Sequence, residues 1–362
     1  MSIENLAEVV GGLSLAERKL FRRLFTVTTA SGELKVPLAM QPWVEKQFGS
    51  LAAVQHQKVV RVTNNITGEE TLFNPLRAAR PFDAHTGASL DEDLSASACR
   101  DIFQHPRDGT PEDVFGRISG KYCLTASNVS KYDGWHGLVI FNDYNPLEFS
   151  REQVIDYIDT GLAWAHRANS LDPSAKYFLL IWNCLWRAGA SINHGHAQVT
   201  LARNRHYSKI EWLRRAALTY RRRYRSNYFD DLYRVHESLG CARVKAGTKV
   251  LAYLAPFKDN EVIIMAPEVN MSLKTGIHEV LAVLRDRVGM LTFNLSLVTA
   301  PLAATRESWQ GFPALARIVD RGDPASRACD VGSMEIFGAS VVSSDPFELA
   351  RKLGCGEGGK EA

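Results

Sequence analysis

The chain repeats one order of structural elements, and this repetition constrains its fold more than any other feature. In the first half, the apolar stretch 137–141 (GLVIF) leads through a loop to a helix that opens with a capping pattern at residues 150–153 (SREQ). In the second half, residues 261–266 (EVIIMA) lead through a loop to a helical pattern at 276–291. The recurrence of strand, loop and helix indicates an internal duplication. A chain of 362 residues is long enough to hold two such halves.

The remaining patterns divide the chain into three parts. Residues 3–25 predict one or two amphipathic helices within an N-terminal prefix, residues 1–58. Residues 59–206 form the first half and residues 207–362 the second. A hairpin is predicted from strands at 59–63 and 70–73. Further strands are predicted at 122–125, 176–183, 196–201 and 250–255.

Composition excludes several classes of protein. The formal net charge of +3 is too small to argue for nucleic acid as the main partner, although it suits an anionic small substrate. No apolar run is long enough to span a membrane, and the N-terminal segment carries acids where a secretory signal carries basic residues. The six cysteines are scattered without paired spacing, which is typical of a reduced intracellular protein. We therefore expect a cytoplasmic protein without a membrane partner.

A long helix predicted at 208–227 is basic on one side. Its arginines include Arg214, Arg215, Arg221, Arg222, Arg223 and Arg225. Most such faces are simply solvated, but contact with a phosphate or with another subunit is the alternative.

Polar side chains alternate strictly in the segment SINHGHAQVTL, residues 191–201. Because side chains on a strand alternate between its two faces, His194, His196 and Gln198 project to one side if the strand begins early enough. Gly195 and Ala197 on the other side indicate close packing behind. Spacing alone leaves three interpretations open: a nucleophilic histidine, a pair of metal ligands, or a packed pair without chemistry.

Imidazole is a competent nucleophile toward phosphorus at neutral pH, because a large fraction of it is unprotonated. The attacking ring must be held in one tautomer, usually by a carbonyl group on its other nitrogen. A neutral amide two residues along can donate to a phosphoryl oxygen without repelling it.

Three segments and one spacing carry a resemblance to a known family, the spacing being that Asn183 stands eight residues before Ser191, as the family's phosphate-contacting Asn and Ser do. NHGHAQV, residues 193–199, resembles the His-x-His-x-Gln signature of the galactose-1-phosphate uridylyltransferase branch of the histidine-triad superfamily. Residues 64–81 (NNITGEETLFNPLRAARP) are similar to the N-terminal uridylyltransferase segment N-P-L-T-G-x-W-x-x-x-S-P-x-R-x-x-R-P. Residues 128–139 (NVSKYDGWHGLV) are more similar to the related nucleotide phosphorylases.

This resemblance implies a role for each matching residue. His196 would be the nucleophile that takes up the nucleotidyl group, with its ring oriented by the carbonyl of His194. Gln198 would steady the phosphoryl oxygen, and Ser191 would contact the leaving phosphate. Contacts with the nucleotide or its phosphates are implied for Arg77, Arg80, Asn183, Asn128 and Lys131.

The implied fold is α+β, with two histidine-triad-like halves, each an antiparallel sheet with flanking helices, in a pseudo-duplicated arrangement. The implied function is a nucleotidyltransferase that passes a nucleoside monophosphate through His196, between a nucleotide-sugar and a sugar 1-phosphate. The superfamily's hydrolases carry a third histidine where this chain has Gln198, which favours transfer over hydrolysis. The alternatives are a phosphorylase of nucleotide-sugars or dinucleoside polyphosphates and a non-catalytic nucleotide-binding protein. A homodimer is also considered.

The chain departs from the family in its metal and sugar sites. The family's structural zinc uses Cys-x-x-Cys, a later histidine and the first histidine of the motif, whereas here Cys99 and His194 remain, with His105 as a further candidate. We therefore expect no cofactor and no stoichiometric zinc. The second family metal site needs histidines that residues 207–362 lack, apart from His236 and His278. The sugar-recognition segment Gly-Tyr-Glu-Met becomes GSME at residues 332–335.

Overall fold

The structure is a computed structural model that describes residues 1–79, 90, 94, 101–326 and 329–356. Arg80 and Cys99 lie outside the described residues. The helices are α1 (Leu6–Gly12), α2 (Leu15–Leu24), α3 (Gln41–Phe48), α4 (Leu51–Gln55), α5 (Pro106–Gly109), α6 (Arg151–Leu171), α7 (Ser208–Tyr224), α8 (Tyr228–Ser238), α9 (Met271–Val283), α10 (Ser333–Phe337) and α11 (Pro346–Lys352).

The strands form two sheets. They are β1 (Phe25–Glu33), β2 (His56–Asn64), β3 (Glu70–Phe73), β4 (Cys123–Ser127), β5 (His136–Phe141), β6 (Ala175–Cys184), β7 (His196–Arg203), β8 (Ala242–Lys245), β9 (Thr248–Ala252), β10 (Val262–Ala266), β11 (Phe293–Val298), β12 (Ala314–Asp320) and β13 (Ser340–Val342). The smaller sheet has the order β1-β2-β3-β13. The larger has the order β4-β5-β7-β6-β11-β12-β10-β9-β8 and is antiparallel throughout.

The larger sheet repeats itself about the junction of β6 and β11. Reading outward from that junction, β6, β7, β5 and β4 on one side correspond to β11, β12, β10 and β9 on the other. Along the chain, the elements of each set follow the same order: two strands, a helix and two more strands. The order is β4, β5, α6, β6 and β7 in the first half and β9, β10, α9, β11 and β12 in the second. The predicted α+β fold with two duplicated halves is therefore confirmed, and the two halves share one continuous sheet.

Helices α6 and α9 pack against each other and against the sheet. At Gly161 of α6, an added Cβ would lie 3.1 Å from Val199 and 3.2 Å from Leu180, so this helix lies very close to β6 and β7. Gly276 of α9 approaches β9 and β10 in the same way, with Thr248 3.1 Å from an added Cβ. Because Val199 faces α6, alternation sends His196 and Gln198 to the opposite face of the sheet.

Local sequence signals located most of these elements. The cap at Ser150 forms as predicted, with the Ser150 hydroxyl accepting from the Gln153 amide and the Gln153 side chain accepting from Ser150. The hairpin of β2 and β3 is confirmed. Within the predicted amphipathic segment 3–25, Phe21 and Leu24 are buried, whereas Leu15 is 82% exposed. Strand β1 within the prefix and helix α8 were not predicted.

Among the described residues, every helix is too short or too polar to cross a lipid bilayer.

Candidate active site

A tight connection between β6 and β7 sets the position of the two motif histidines. Gly195 donates its N–H to the carbonyl of Tyr144 and accepts from the N–H of Phe141, both at 2.8 Å. A Cβ at this position would lie 2.6 Å from the Phe141 ring, so only glycine fits. The backbone on either side of Gly195 is thereby locked against the end of β5, as the small residues at 195 and 197 suggested.

His196 is the first residue of β7 and is held in one tautomer. Its Nδ1 donates to the carbonyl of His194 at 2.8 Å, so the lone pair lies on Nε2. The residue is only 6% exposed. Burial lowers the pKa of His196, because the charged imidazolium loses its hydration. The ring is therefore a neutral base at physiological pH, with Nε2 making no hydrogen bond in the described part of the chain.

An apolar cluster surrounds His196 on this face of the sheet. Phe103 meets the His196 ring edge-on at a centroid distance of 5.3 Å, and meets His194 at 5.9 Å. Phe103 packs with Ala126, Leu138 and Ile140 in a core cluster separate from the main one. Ile140 is the register partner of His196. These side chains keep bulk water away from the His196 ring.

His194 is fixed by partners on both ring nitrogens. Nδ1 lies 2.5 Å from Asp101 Oδ2, and Nε2 lies 2.7 Å from the Phe141 carbonyl. Both groups are 5% exposed or less at the side chain. Asp101 also accepts from the N–H of Phe103 at 2.8 Å, so one carboxylate orients both His194 and the aromatic ring above the site.

This arrangement does not fit the zinc site that the resemblance implied. A zinc ion on His194 needs a ring nitrogen with a free lone pair, and here each nitrogen already faces an oxygen atom of the protein. Asn145, at the position of the family's later histidine, bonds to Glu148 and Leu147 instead. Within the described ranges, no three His, Cys, Asp or Glu side chains converge on a metal-sized position. We derive no step through a metal.

Gln198 is oriented by His136, the first residue of β5. The backbone N–H of Tyr132 donates to His136 Nδ1 at 2.9 Å, so the ring proton must lie on Nε2. That proton points at Gln198 Oε1, 2.9 Å away. The NH₂ group of Gln198 is therefore turned away from His136 and remains a donor. Burial lowers the pKa of His136, which keeps this neutral tautomer in place near neutral pH.

Two of the predicted phosphate contacts lie beside His136. Asn128 Nδ2 is 3.3 Å from His136 Nε2, which places Asn128 next to Gln198. Lys131 donates to Ser127 at 2.7 Å and to the His136 carbonyl at 3.0 Å. In this structure, then, Lys131 supports the backbone at the start of β5.

Asn183 and Ser191 flank the loop that leads to the histidines. Asn183 accepts from Asn294 of β11 at 2.8 Å, and Asn294 also donates to the Ala188 carbonyl at 2.8 Å. A residue of the second half of the chain, Asn294, thus holds the loop between β6 and β7 in place. Ser191 is exposed and makes no side-chain hydrogen bond within the described chain.

Arg77 lies in a different cavity, of about 290 Å³, whose lining does not include the motif histidines. Arg187 and Lys258 line it as well, together with Asp330 and residues 332–335. The cavity thus joins the predicted phosphate-binding arginine to the segment at the position of the family's sugar-recognition motif. Arg80 cannot be placed, since it lies outside the described residues.

The second half carries different side chains at the positions that match His196 and Gln198. His196 pairs with Ile140, one residue before the end of β5, and Leu315 pairs with Met265, one residue before the end of β10. Leu315 is therefore the counterpart of His196. Arg317, two residues after Leu315, corresponds in the same way to Gln198, two residues after His196.

A partly buried ion network fills that matching position. Glu261, which precedes β10 as His136 opens β5, accepts from Arg317 at 2.5 Å. Glu69, from the turn between β2 and β3, accepts from Arg317 and from Tyr253, both at 2.6 Å. The N-terminal hairpin thus closes the position in the second half that matches the motif residues of the first half.

Sequence reasoning missed Asp101, Phe103 and His136 as members of the site. His136 lies in the segment similar to nucleotide phosphorylases. The predicted strand began at residue 137, one residue after it. Only the register between β5 and β7 reveals its contact with Gln198. Asp101 lies 93 positions from His194, and no local pattern indicates their contact.

The fold, two halves joined in one antiparallel sheet, is shared with solved structures of two nucleotide-sugar enzymes. An ADP-glucose phosphorylase from Arabidopsis thaliana with bound ADP-glucose is similar in structure, with a TM-score of 0.60 and 15% sequence identity over 80% of this chain and 97% of that one. A uridylyltransferase structure gives a TM-score of 0.54 and 16% identity over 82% and 97%. No protein-family profile matches the chain, and no curated protein matches it by sequence.

Proposed function

We propose that the protein is a nucleotidyltransferase that works by ping-pong transfer through a covalent intermediate on His196. One observation carries this proposal: the Nδ1 of His196 is committed to the His194 carbonyl, which leaves Nε2 as the nucleophile. The buried, apolar surroundings favour the neutral ring that can attack. The similar folds of an ADP-glucose phosphorylase and a uridylyltransferase support a nucleotide-sugar as the donor.

In the first step, His196 Nε2 attacks the α-phosphorus of the donor. A P–N bond forms, the P–O bond to the bridging oxygen breaks, and the sugar 1-phosphate leaves. The nucleotidylated ring carries a positive charge, and its Nδ1–H donates more strongly to the His194 carbonyl. The NH₂ of Gln198 donates to a nonbridging oxygen as negative charge develops there.

In the second step, a phosphate oxygen of the acceptor attacks the same phosphorus. The P–N bond breaks, and its electron pair returns to His196 Nε2. The acceptor oxygen is already anionic, so no general base is needed. Gln198 cannot remove a proton from water, which makes hydrolysis the slow side reaction.

The acceptor distinguishes two forms of the proposal. The first is a sugar 1-phosphate, as in uridylyl transfer between sugars. The second is inorganic phosphate, which would make the protein a phosphorylase. The segment 332–335 lacks the Tyr-Glu pair of the family's sugar site, and it lines a cavity with Arg77, Arg187 and Lys258. Asp259, Asp330 and Glu335 also line this cavity, so its charges balance, and it is the missing Tyr-Glu pair that favours the phosphorylase as second candidate.

Mass spectrometry of the intact protein tests the proposal. After brief exposure to a panel of nucleotide-sugars, the wild-type mass should rise by one nucleoside monophosphate, whose mass identifies the base. His196→Ala should show no gain, whereas His166→Ala, which removes an exposed histidine from α6, should be labelled normally. Failure of every donor to label the wild type would favour the non-catalytic nucleotide-binding alternative.

The labelled protein also identifies the acceptor. Its decay should be slow in buffer and fast with the true acceptor, either inorganic phosphate or a sugar 1-phosphate. Discharge by water as fast as steady-state turnover, with no acceleration by either compound, would make the protein a hydrolase.

A further inference from the structure

The last turn of α7 carries arginines that surround a cavity in the second half of the chain. Arg221, Arg222 and Arg225 line this cavity of about 470 Å³. Leu218, Ser308 and Gln310 complete the lining, so no acidic side chain faces it. We call this space the arginine cavity. Its volume is in the range of small-molecule sites.

The charges in the arginine cavity are not balanced within the described chain. Earlier on the same helix, Arg214 and Arg215 each pair with Glu211 at 2.6 Å. The three cavity arginines form no ion pair with any described carboxylate. Like charges around one small space repel each other, and a bound anion would relieve that repulsion. A merely solvated face would not require the three side chains to converge.

The backbone at this end of α7 also supports a site. Arg225 ends the helix in the left-handed conformation, with φ of 55°, where glycine or asparagine is usual. Gly311 lies opposite, with φ of 77°. An added Cβ there would lie 3.2 Å from Arg221 Nη1 and 2.7 Å from Asn227 Nδ2. Glycine at 311 thus leaves the space that the Arg221 guanidinium needs beside the chain.

A second cavity begins at Gly311, the residue after Gln310 of the arginine cavity. It measures about 370 Å³, and its lining includes Phe229, Met265 and Phe312 together with an ion pair of Asp230 and Lys249 at 2.5 Å. Arginines in the first cavity and aromatic side chains in the second match a ligand with a charged end and a flat end.

We propose that the arginine cavity binds a chain of two or more phosphate groups, separate from the reaction at His196. Guanidinium groups bind phosphate oxygens in pairs, and the Ser308 hydroxyl and Gln310 amide supply neutral donors. The second cavity, with aromatic side chains beside polar ones, accommodates the base of a nucleoside polyphosphate. The site is distinct from the catalytic one, because β6 and β11 lie between β7, which His196 opens, and β12, which follows Ser308 and Gln310.

Hydrogen–deuterium exchange locates such binding without relying on catalysis. ATP should protect residues 218–230 and 306–313 in the wild-type protein. The double variant Arg222→Gln/Arg225→Gln should need about a hundredfold more ATP for the same protection, since two charged hydrogen-bonding groups are lost. The matched control is Arg223→Gln, which removes one charge from the same turn but does not line the cavity, and it should behave as wild type. Protection around residues 194–198 reports the catalytic site separately.

Inorganic tripolyphosphate identifies the source of the phosphate chain. Protection of 218–230 by tripolyphosphate at the same concentration as ATP assigns the site to the phosphate chain alone. A requirement for much higher concentrations assigns it to nucleoside polyphosphates. The proposal is overturned if neither compound protects these residues, or if the double variant is protected as well as the wild type. Thermal unfolding of each variant verifies that the fold is retained.

Discussion

The carboxylate of Asp101 lies 2.5 Å from Nδ1 of His194, and both side chains are buried. The carbonyl of the same His194 receives the Nδ1–H of His196 at 2.8 Å. Asp101 is thus connected to His196 through one residue, His194. The carboxylate holds His194 in place, and the His194 carbonyl in turn selects the tautomer of His196.

We therefore expect Asp101→Asn to slow nucleotidylation of His196 by about 10- to 100-fold, because loosening His194 misaligns the attacking ring. Binding of the donor should change little, so the loss should appear in kcat and not in KM. Single-turnover labelling over a range of donor concentrations separates the two. Asp108→Asn, at an exposed acid of α5 in the same region, is the control and should leave both constants unchanged. An unaltered labelling rate in Asp101→Asn would remove Asp101 from the set of positioning residues.

Gln198→His should speed discharge of the labelled protein by water. Histidine at this position can take a proton from water, whereas the amide cannot. The ratio of the decay rates with and without phosphate acceptor should fall. Gln198→Leu is the matched control: it removes the donor without adding a base, so loading should slow while hydrolysis stays slow. Equal hydrolysis rates in the two variants would contradict the role given to Gln198.

Local signals in the sequence were sufficient for much of the fold and for the motif itself. The alternation at 194, 196 and 198 and the cap at Ser150 each depend on neighbours a few residues apart, so they can be read without tertiary structure. Strand β1 could not be found in this way. Seven of its nine residues are exposed, and its sequence, FTVTTASGE, lacks an apolar alternation.

The partners of the motif depended on tertiary structure. His136 orients Gln198 only because β5 and β7 pair in one particular register. Similarly, the closure of the matching position in the second half by Glu69 and Arg317 joins residues 248 positions apart. Neither contact leaves a periodic or local pattern. The resemblance to known sequences therefore predicted His196 as the nucleophile, but it could not identify the residues that hold the His196 ring in place.

Nucleotidylation of His196 should remain fast at pH values below the usual pKa of histidine, about 6.5. Burial lowers the pKa of His196, so the neutral, attacking form persists as the pH falls. A nucleotide-sugar has no terminal phosphate that titrates in this range, so the profile reports the protein. Single-turnover labelling from pH 5 to 8 should be nearly flat above pH 6.5. If the labelling rate fell to half its maximum at pH 6.5 or above, the ring would not be desolvated during attack.

Arg77→Lys should lower kcat/KM for the donor or for the phosphate acceptor, although the positive charge is kept. A guanidinium binds two phosphate oxygens at once, whereas an ammonium group acts as a point charge. Arg61→Lys is the control, because Arg61 is a half-exposed arginine of β2 that pairs with Glu70 at 3.8 Å. Unchanged specificity constants in Arg77→Lys, for every active donor and acceptor, would make Arg77 a surface residue without a role in binding. The same comparison applies to Arg80→Lys.

The stability of the protein should fall between pH 6.5 and pH 4, partly because of His236. This residue is fully buried, donates from Nδ1 to the Leu232 carbonyl at 2.8 Å and accepts the N–H of Leu254 on Nε2 at 3.2 Å. A second proton would have no acceptor, and burial lowers the pKa of His236 to about 4.

In the unfolded chain, by contrast, His236 takes up its proton near pH 6.5. Because the unfolded state binds the proton first as the pH falls, the contribution of His236 to stability is constant above pH 6.5 and declines below it, by roughly 3 kcal/mol at pH 4.

His236→Gln should be less stable than wild type at pH 7.5, since it disturbs the core, but its stability should decline less steeply toward pH 4. Urea unfolding at each pH gives the two curves, and their difference removes the contributions of other titrating groups. His166→Gln, at an exposed position, should run parallel to wild type. Parallel curves for His236→Gln and wild type would show that His236 is not the group whose protonation destabilises the fold.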